Sequence, residues 1–148
     1  MLGRLARYLR AAGYDTRLAS GGLPDRDWLI AARAEERYFL TMDREVLNHR
    51  AANGIAILLP HGDLDSLAHA LDERFAIDWL DHAFTRCLVD NTLLVPASPA
   101  ERQTLPVVAH AESALKCPYC QRVFWTGSHY QRMLARMTRW QAGEWRSV

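Results

Sequence analysis

The sequence predicts an α/β fold: a parallel sheet flanked by helices, then a cysteine-bearing β module and a C-terminal helix. Three observations carry this. Short continuous apolar runs at residues 38–41 and 55–59 alternate with amphipathic helical patterns, as strands buried on both faces do. The pattern changes near residue 80, and residues 84–127 hold all three cysteines, four of the six prolines and no clear helical periodicity. From Ser128 onward Met133, Leu134, Met137 and Trp140 fall at helical spacing among basic residues, with Gly143 as the stop.

The elements follow in order. Leu2, Leu5, Ala6 and Leu9 mark a first helix that ends at Gly13, and residues 14–19 alternate enough for a short strand. Gly21, Gly22 and Pro24 make a loop, and Asp25 caps a helix carrying Trp28, Leu29 and Ala32. The run at 38–41 is a buried strand. Asp43 then caps a helix with Val46, Leu47 and Ala51, stopped by Asn53-Gly54. The run at 55–59 is a second buried strand, and Leu64, Leu67, Ala68, Leu71 and Phe75 mark another amphipathic helix. The expected boundaries are an α/β domain at 1–80 and the second module at 84–148.

Composition narrows the class. The chain has 148 residues, 49% apolar and 24% charged, which is the composition of a soluble globular protein. Its longest apolar runs fall far short of the roughly 18 residues a membrane span needs. Arginines interrupt the apolar N-terminus, so it does not read as a secretory leader. An odd cysteine count without a leader points to a reducing, cytoplasmic compartment rather than a disulfide scaffold. The net charge of +1 hides an asymmetry: +3 over residues 1–17, −7 over 18–115 and +5 over 116–148. Basic ends suit a polyanion and an acidic middle suits a cation; solvated helix faces would read the same way.

Two clusters carry chemistry. Cys117-Pro118-Tyr119-Cys120 is a CxxC turn that aims two thiolates at one tetrahedral ion. Cys87-Leu88-Val89-Asp90 repeats the spacing with a carboxylate in the second place, and 26 residues separate the two motifs, enough for a hairpin. The layout reads as a zinc ribbon with ligands Cys87, Asp90, Cys117 and Cys120. The Asp would make it more exchangeable, since soft thiolates suit zinc better, and His110 or His129 are alternative ligands. A redox pair or inert buried thiols are the competing readings. The second cluster is acidic. Asp25, Asp43, and Asp63 with Asp65, follow predicted strands or open the next helix, so three loops deliver carboxylates to one sheet edge. Gathered carboxylates call for a hard cation, Mg²⁺ or Mn²⁺, which can activate water against a phosphodiester. Each Asp taken singly is equally an ordinary N-cap.

Residues 1–15, Met1-Leu2-Gly3-Arg4-Leu5-Ala6-Arg7-Tyr8-Leu9-Arg10-Ala11-Ala12-Gly13-Tyr14-Asp15, carry a specific resemblance. So do Leu40-Thr41-Met42-Asp43-Arg44-Glu45, Phe84-Thr85-Arg86-Cys87-Leu88-Val89-Asp90-Asn91, Cys117-Pro118-Tyr119-Cys120, and Gly127-Ser128-His129-Tyr130-Gln131-Arg132-Met133. Together, in this order, they resemble the PIN-like ribonucleases known as the Mut-seven C-terminal RNase domain family. The resemblance implies a PIN-like sheet and metal-dependent RNA cleavage. Asp43 matches the acid of the Thr-x-Asp motif, Asp25 the acid opening the preceding helix, and Asp63 or Asp65 the acidic stretch after the next strand. Cys87, Cys117 and Cys120 match three zinc ligands, and Asp90 stands where the family has its second cysteine. The family also places a strand and an Asp just before Met-Leu-Gly, and Met1 is that Met. Either the start lies upstream, or a core strand and a catalytic acid are missing and nuclease activity is impaired.

The expected function is a metal-dependent ribonuclease; the rival is a catalytically impaired RNA-binding protein that uses the ribbon and basic helix. Arg4, Arg7, Arg10, Arg44, Arg132, Arg136 and Arg139 are candidate phosphate contacts. Tyr119, Phe124, Trp125 and Tyr130 are base-stacking candidates, or equally the core of a small ribbon. His129 is read as a packed histidine at a helix start.

Overall fold

The computed structural model describes residues 1–106 and 111–145. Its element order is α1 (Leu2–Ala11), α2 (Asp25–Ala34), β1 (Phe39–Thr41), two 3₁₀ turns (Arg44–Asn48 and Arg50–Ala52), β2 (Ala56–Leu58) and α3 (Leu64–Phe75). Then come β3 (Val95–Pro96), α4 (Pro99–Gln103), a 3₁₀ turn (Ala111–Ser113), β4 (Leu115–Lys116), β5 (Val123–Phe124) and α5 (Ser128–Gln141). The chain is mixed α/β, and it divides into two compact units. One is Met1–Leu2 with Leu18–Ala76; the other is Gly3–Arg17 with Ile77–Val148. Of α1, Leu2 falls in the first unit and Gly3–Ala11 in the second.

In the first unit β1 and β2 are parallel, in register Phe39 with Ala56 through Thr41 with Leu58. The ladder is extended by Phe39 N–H donating to Ile55 O at 2.8 Å and Leu59 N–H to Thr41 O at 2.7 Å. A parallel pair needs a crossover of about a dozen residues, usually a helix. Here two 3₁₀ turns make it, where one α-helix from Asp43 was expected. They are separated at His49, whose backbone is extended (φ −72°, ψ 130°). Leu29, Val46 and Ala52 form a buried cluster with Phe39, Ala51, Ile55 and Ala56 packed on it. The predicted apolar stripe of α3 is buried at Leu64, Leu67, Ala68 and Leu71.

In the second unit β3, β4 and β5 form an antiparallel sheet in that order, with an isolated Arg86–Leu93 bridge in the segment before β3. α1 buries Leu5, Ala6, Leu9 and Ala11, and α5 buries Met133, Met137 and Trp140. Tyr8 and Trp79 lie against Trp140 at centroid separations of 5.0 and 4.7 Å. Trp79 and Trp140 are among the largest fully buried side chains, so this aromatic cluster is the unit's core. Gly13 holds φ +93°, and a Cβ there would stand 2.5 Å from His82 O, so both conformation and space require glycine.

Two expectations are corrected here. Residues 14–19 form no strand. Their backbone is bound by side chains instead: Thr16 O accepts from Arg10 Nε at 2.8 Å, and Thr16 N–H donates to Asn91 Oδ1 at 2.9 Å. The proline-rich stretch holds a helix, α4. Ser98 caps it by accepting from Glu101 N–H at 3.2 Å, with Pro99 at the first turn.

A candidate metal centre of three thiols and a carboxylate

Two similar turns build the centre. In the first, Cys87 O accepts from Asn91 N–H at 3.0 Å and Cys87 N–H donates to Thr92 O at 2.8 Å. In the second, Cys117 O accepts from Gln121 N–H at 3.0 Å and Cys117 N–H donates to Arg122 O at 2.9 Å. The fifth residue of each turn is left-handed, φ 75° at Asn91 and 65° at Gln121. So Cys-x-x-Asp-Asn-Thr and Cys-x-x-Cys-Gln-Arg adopt one conformation, although their fourth residues differ. The first turn lies between the bridged residues Arg86 and Leu93, and the second joins β4 to β5.

The ligand atoms of Cys87, Asp90, Cys117 and Cys120 all lie within 4.8 Å of one another. Cys87 and Cys117 are fully buried, while Asp90 and Cys120 are partly exposed. Two of the spacings match those around a tetrahedral ion. Two sulfurs about 2.3 Å from zinc at the tetrahedral angle stand ~3.8 Å apart, and Cys87 Sγ and Cys120 Sγ are 3.8 Å apart. An oxygen ligand shortens the edge slightly, and Cys117 Sγ lies 3.3 and 3.5 Å from the Asp90 oxygens. With all four positions filled by protein, zinc here would be structural rather than catalytic.

Burial and local hydrogen bonds set the metal-free electrostatics of the centre. Burial pushes the Cys87 thiol up to about 12. It also opposes ionisation of Asp90, but hydrogen bonds from Thr92 and from the Cys117 and Cys120 thiols hold that carboxyl well below the usual range. Thr92 N–H donates to Asp90 Oδ1 at 3.0 Å.

Arg10 is the functional residue that sequence reasoning misplaced. It was expected among phosphate contacts, yet it is 6% exposed. Its Nη1 donates to Leu88 O at 3.1 Å and Val89 O at 2.9 Å, the two middle residues of the first turn. Its Nε holds Thr16 O. Burial lowers its pKa, opposed by the neighbouring Cys87 and Asp90. Asn91 adds a second clamp, donating from Nδ2 to Asp15 Oδ1 at 2.6 Å. Arg10 lies four residues after buried Ala6, on the apolar face of α1; that position was the available signal.

The family model of the Mut7-C RNAse domain matches residues 1–137. The chain belongs to this family. No curated protein and no solved structure matches it significantly.

The acidic residues singled out in the sequence are placed differently from the thiols. Asp43 follows β1 and Asp63 follows β2, so both lie past the carboxyl ends of adjacent parallel strands. Thr41 Oγ1 accepts from Asp43 N–H at 3.1 Å, and Asp43 Oδ1 accepts from Glu45 N–H at 2.8 Å. That is the physical content of the Thr-x-Asp motif. Asp63 Oδ1 accepts from Ser66 N–H at 2.9 Å and Ser66 Oγ at 2.7 Å, capping α3. Asp25 is exposed at the first turn of α2, and Asp65 is buried in the first turn of α3. Among the described residues only the Cys₃Asp group brings three or more ligand side chains together, so the acidic side chains form no ready cage for Mg²⁺ or Mn²⁺. Their hard oxygens suit such an ion; their grouping does not.

The basic and aromatic residues also divide. Arg4, Arg7, Arg44 and Arg132 are exposed. Arg136 is partly buried, with its guanidinium 5.8 Å from the Tyr8 ring centroid. His129 is exposed rather than packed, and His110 lies outside the described residues. Among the described residues no helix is long and apolar enough to cross a membrane.

The mixed ligand set gives a direct prediction. Asp90→Cys completes a four-thiolate site on the same turn, so its zinc affinity rises by about tenfold or more. Competition against a chelating dye reads this. Equal affinity in parent and variant would mean that Asp90 is not a ligand.

Proposed function

We propose that the chain is a metal-dependent ribonuclease, PIN-like in its first unit and zinc-ribbon-like in its second, hydrolysing RNA phosphodiesters. The observation that carries the reading is the family match, which spans both units. The sheet geometry supports it. Asp43 and Asp63 lie past adjacent parallel strand ends, the edge where α/β sheets collect their chemistry. Asp25, Asp43 and Asp63 are the residues proposed to take Mg²⁺ or Mn²⁺. Zinc at Cys87, Asp90, Cys117 and Cys120 holds the second unit together. Exposed Arg4, Arg7, Arg44 and Arg132 contact phosphates, and Arg136 does so less directly because it lies over Tyr8.

A second reading is favoured by one observation: Asp43 and Asp63 act as helix caps and do not gather into an ion cage. It is an RNA-binding protein with impaired cleavage, relying on the ribbon and basic helix. A cleavage assay on single-stranded RNA with added Mn²⁺ separates the two. The enzyme reading expects cleavage that Asp43→Asn lowers at least about 100-fold, because losing a direct ligand costs no less than losing a group that merely supports one. Tight, salt-sensitive binding with no cleavage by the parent would establish the second reading instead.

A further inference from the structure

The second unit holds a cavity of about 290 Å³ between the three-stranded sheet and the start of α5. Neither the metal centre nor the acidic edge uses it. The volume lies at the small end of ligand sites, with room for one planar ring system. Its walls are mixed aliphatic and aromatic. Phe84 and Tyr130 stand with centroids 4.2 Å apart at 41°, and Phe124 and Trp125 line it from the β5 side. Arg86 and His129 are its charged and titratable lining residues. Arg86 is fixed by donating from Nε to Gly13 O at 3.0 Å and from Nη1 to Asn91 O at 3.1 Å.

Two further features mark it as more than a packing gap. Phe84 holds φ 59°, a genuine outlier for a bulky side chain. Its N–H donates to Ala11 O at 2.6 Å, and the conformation sets its ring against Tyr130. Strain of this kind persists where the surroundings enforce it and gathers at functional sites. Trp125, at the cavity, is 38% exposed. Its indole crosses Gly127 so closely that a Cβ there would meet Nε1 at 2.9 Å. A large aromatic thus lies partly in solvent with one edge of its indole against a glycine.

We propose that this cavity takes one unstacked base of a single-stranded RNA, with Trp125 and Tyr130 as its stacking walls. The proposal rests on the RNA-directed reading above and adds a base site to it. Stacking accepts any base, because every base has a π-face. Charge selects the occupant: residues 116–148 carry +5, and exposed Arg132 lies one turn after His129 on α5, placed for a flanking phosphate.

The test uses the full chain and a short single-stranded oligonucleotide, titrated at several salt concentrations without added Mg²⁺ or Mn²⁺ so that metal-dependent cleavage is off. Trp125→Ala should weaken binding by about tenfold or more, as expected for one base–aromatic contact, and leave its salt dependence unchanged. Trp125→Phe should restore most of the affinity. Arg132→Ala should lower the salt slope by about 1. An abasic chain of equal length should bind as weakly to the parent as the intact oligonucleotide binds to Trp125→Ala. If Trp125→Ala, with unchanged metal content, binds like the parent, the base site is overturned while the RNA reading stands. Equal binding of abasic and intact chains by the parent would overturn the base site in the same way. If the parent binds neither, both readings fall.

Discussion

Cys117→Ser will release zinc and unfold the second unit. Cys117 is fully buried, and its sulfur faces both oxygens of Asp90. The sheet around it is very small: β3, β4 and β5 contribute two residues each. So little pairing cannot hold two left-handed turns in place. Structural zinc supplies about 10–16 kcal/mol in small domains, comparable to or above the roughly 5–15 kcal/mol by which a whole domain is stable. Loss of the near-ultraviolet signal of the Trp79–Trp140 pair should therefore accompany loss of the metal. A strong chelator should do the same to the parent. Retention of that signal in Cys117→Ser would show that the core of α1, Trp79 and α5 stands without the centre.

Arg10→Met will be the most damaging substitution outside the ligands themselves. It leaves the carbonyls of Thr16, Leu88 and Val89 without their donor, in a site where the arginine is almost completely covered. Leu88 O is the dry one, while the bonds to Thr16 O and Val89 O are only partly buried and those carbonyls can regain water, so a loss of about 1–3 kcal/mol is expected in denaturant unfolding. Zinc affinity should fall as well, by about 10–100-fold, the usual effect of removing a group that orients a ligand. Arg10→Lys should recover only part of either loss, because one ammonium cannot serve the diverging carbonyls that a fork reaches. Parent-like stability in Arg10→Met would reduce Arg10 to a bystander.

The elements that could be read in the sequence are those set by local pattern. The strands at Phe39–Thr41 and Ala56–Leu58 appear as short apolar runs, and α3 and α5 as apolar stripes. The metal cluster was legible because a Cys-x-x-ligand turn fixes its geometry within six residues. That is why Asp90 could be placed beside Cys117 across 26 intervening residues. What could not be read depends on distant partners. Residues 14–19 look like a strand, but the backbone groups of Thr16 are taken by Arg10 and Asn91. The segment after Asp43 has a helical stripe yet breaks at His49 into two tight turns. Arg10 resembles Arg4 and Arg7 in the sequence, and only the packing of the first Cys turn distinguishes it. The acidic residues illustrate the converse. Asp43 and Asp63, proposed as catalytic acids, cap the segments that follow them, whereas Asp25, expected to cap α2, lies inside its first turn behind Pro24; capping uses the same residue type and place as metal binding.

The central claim is that Cys87, Asp90, Cys117 and Cys120 hold one zinc ion that organises the second unit. Native mass spectrometry of the purified full chain, with elemental analysis of the same sample, tests it most directly. The account predicts one zinc per chain in the parent and none in Cys117→Ser. A folded parent without bound metal would contradict it.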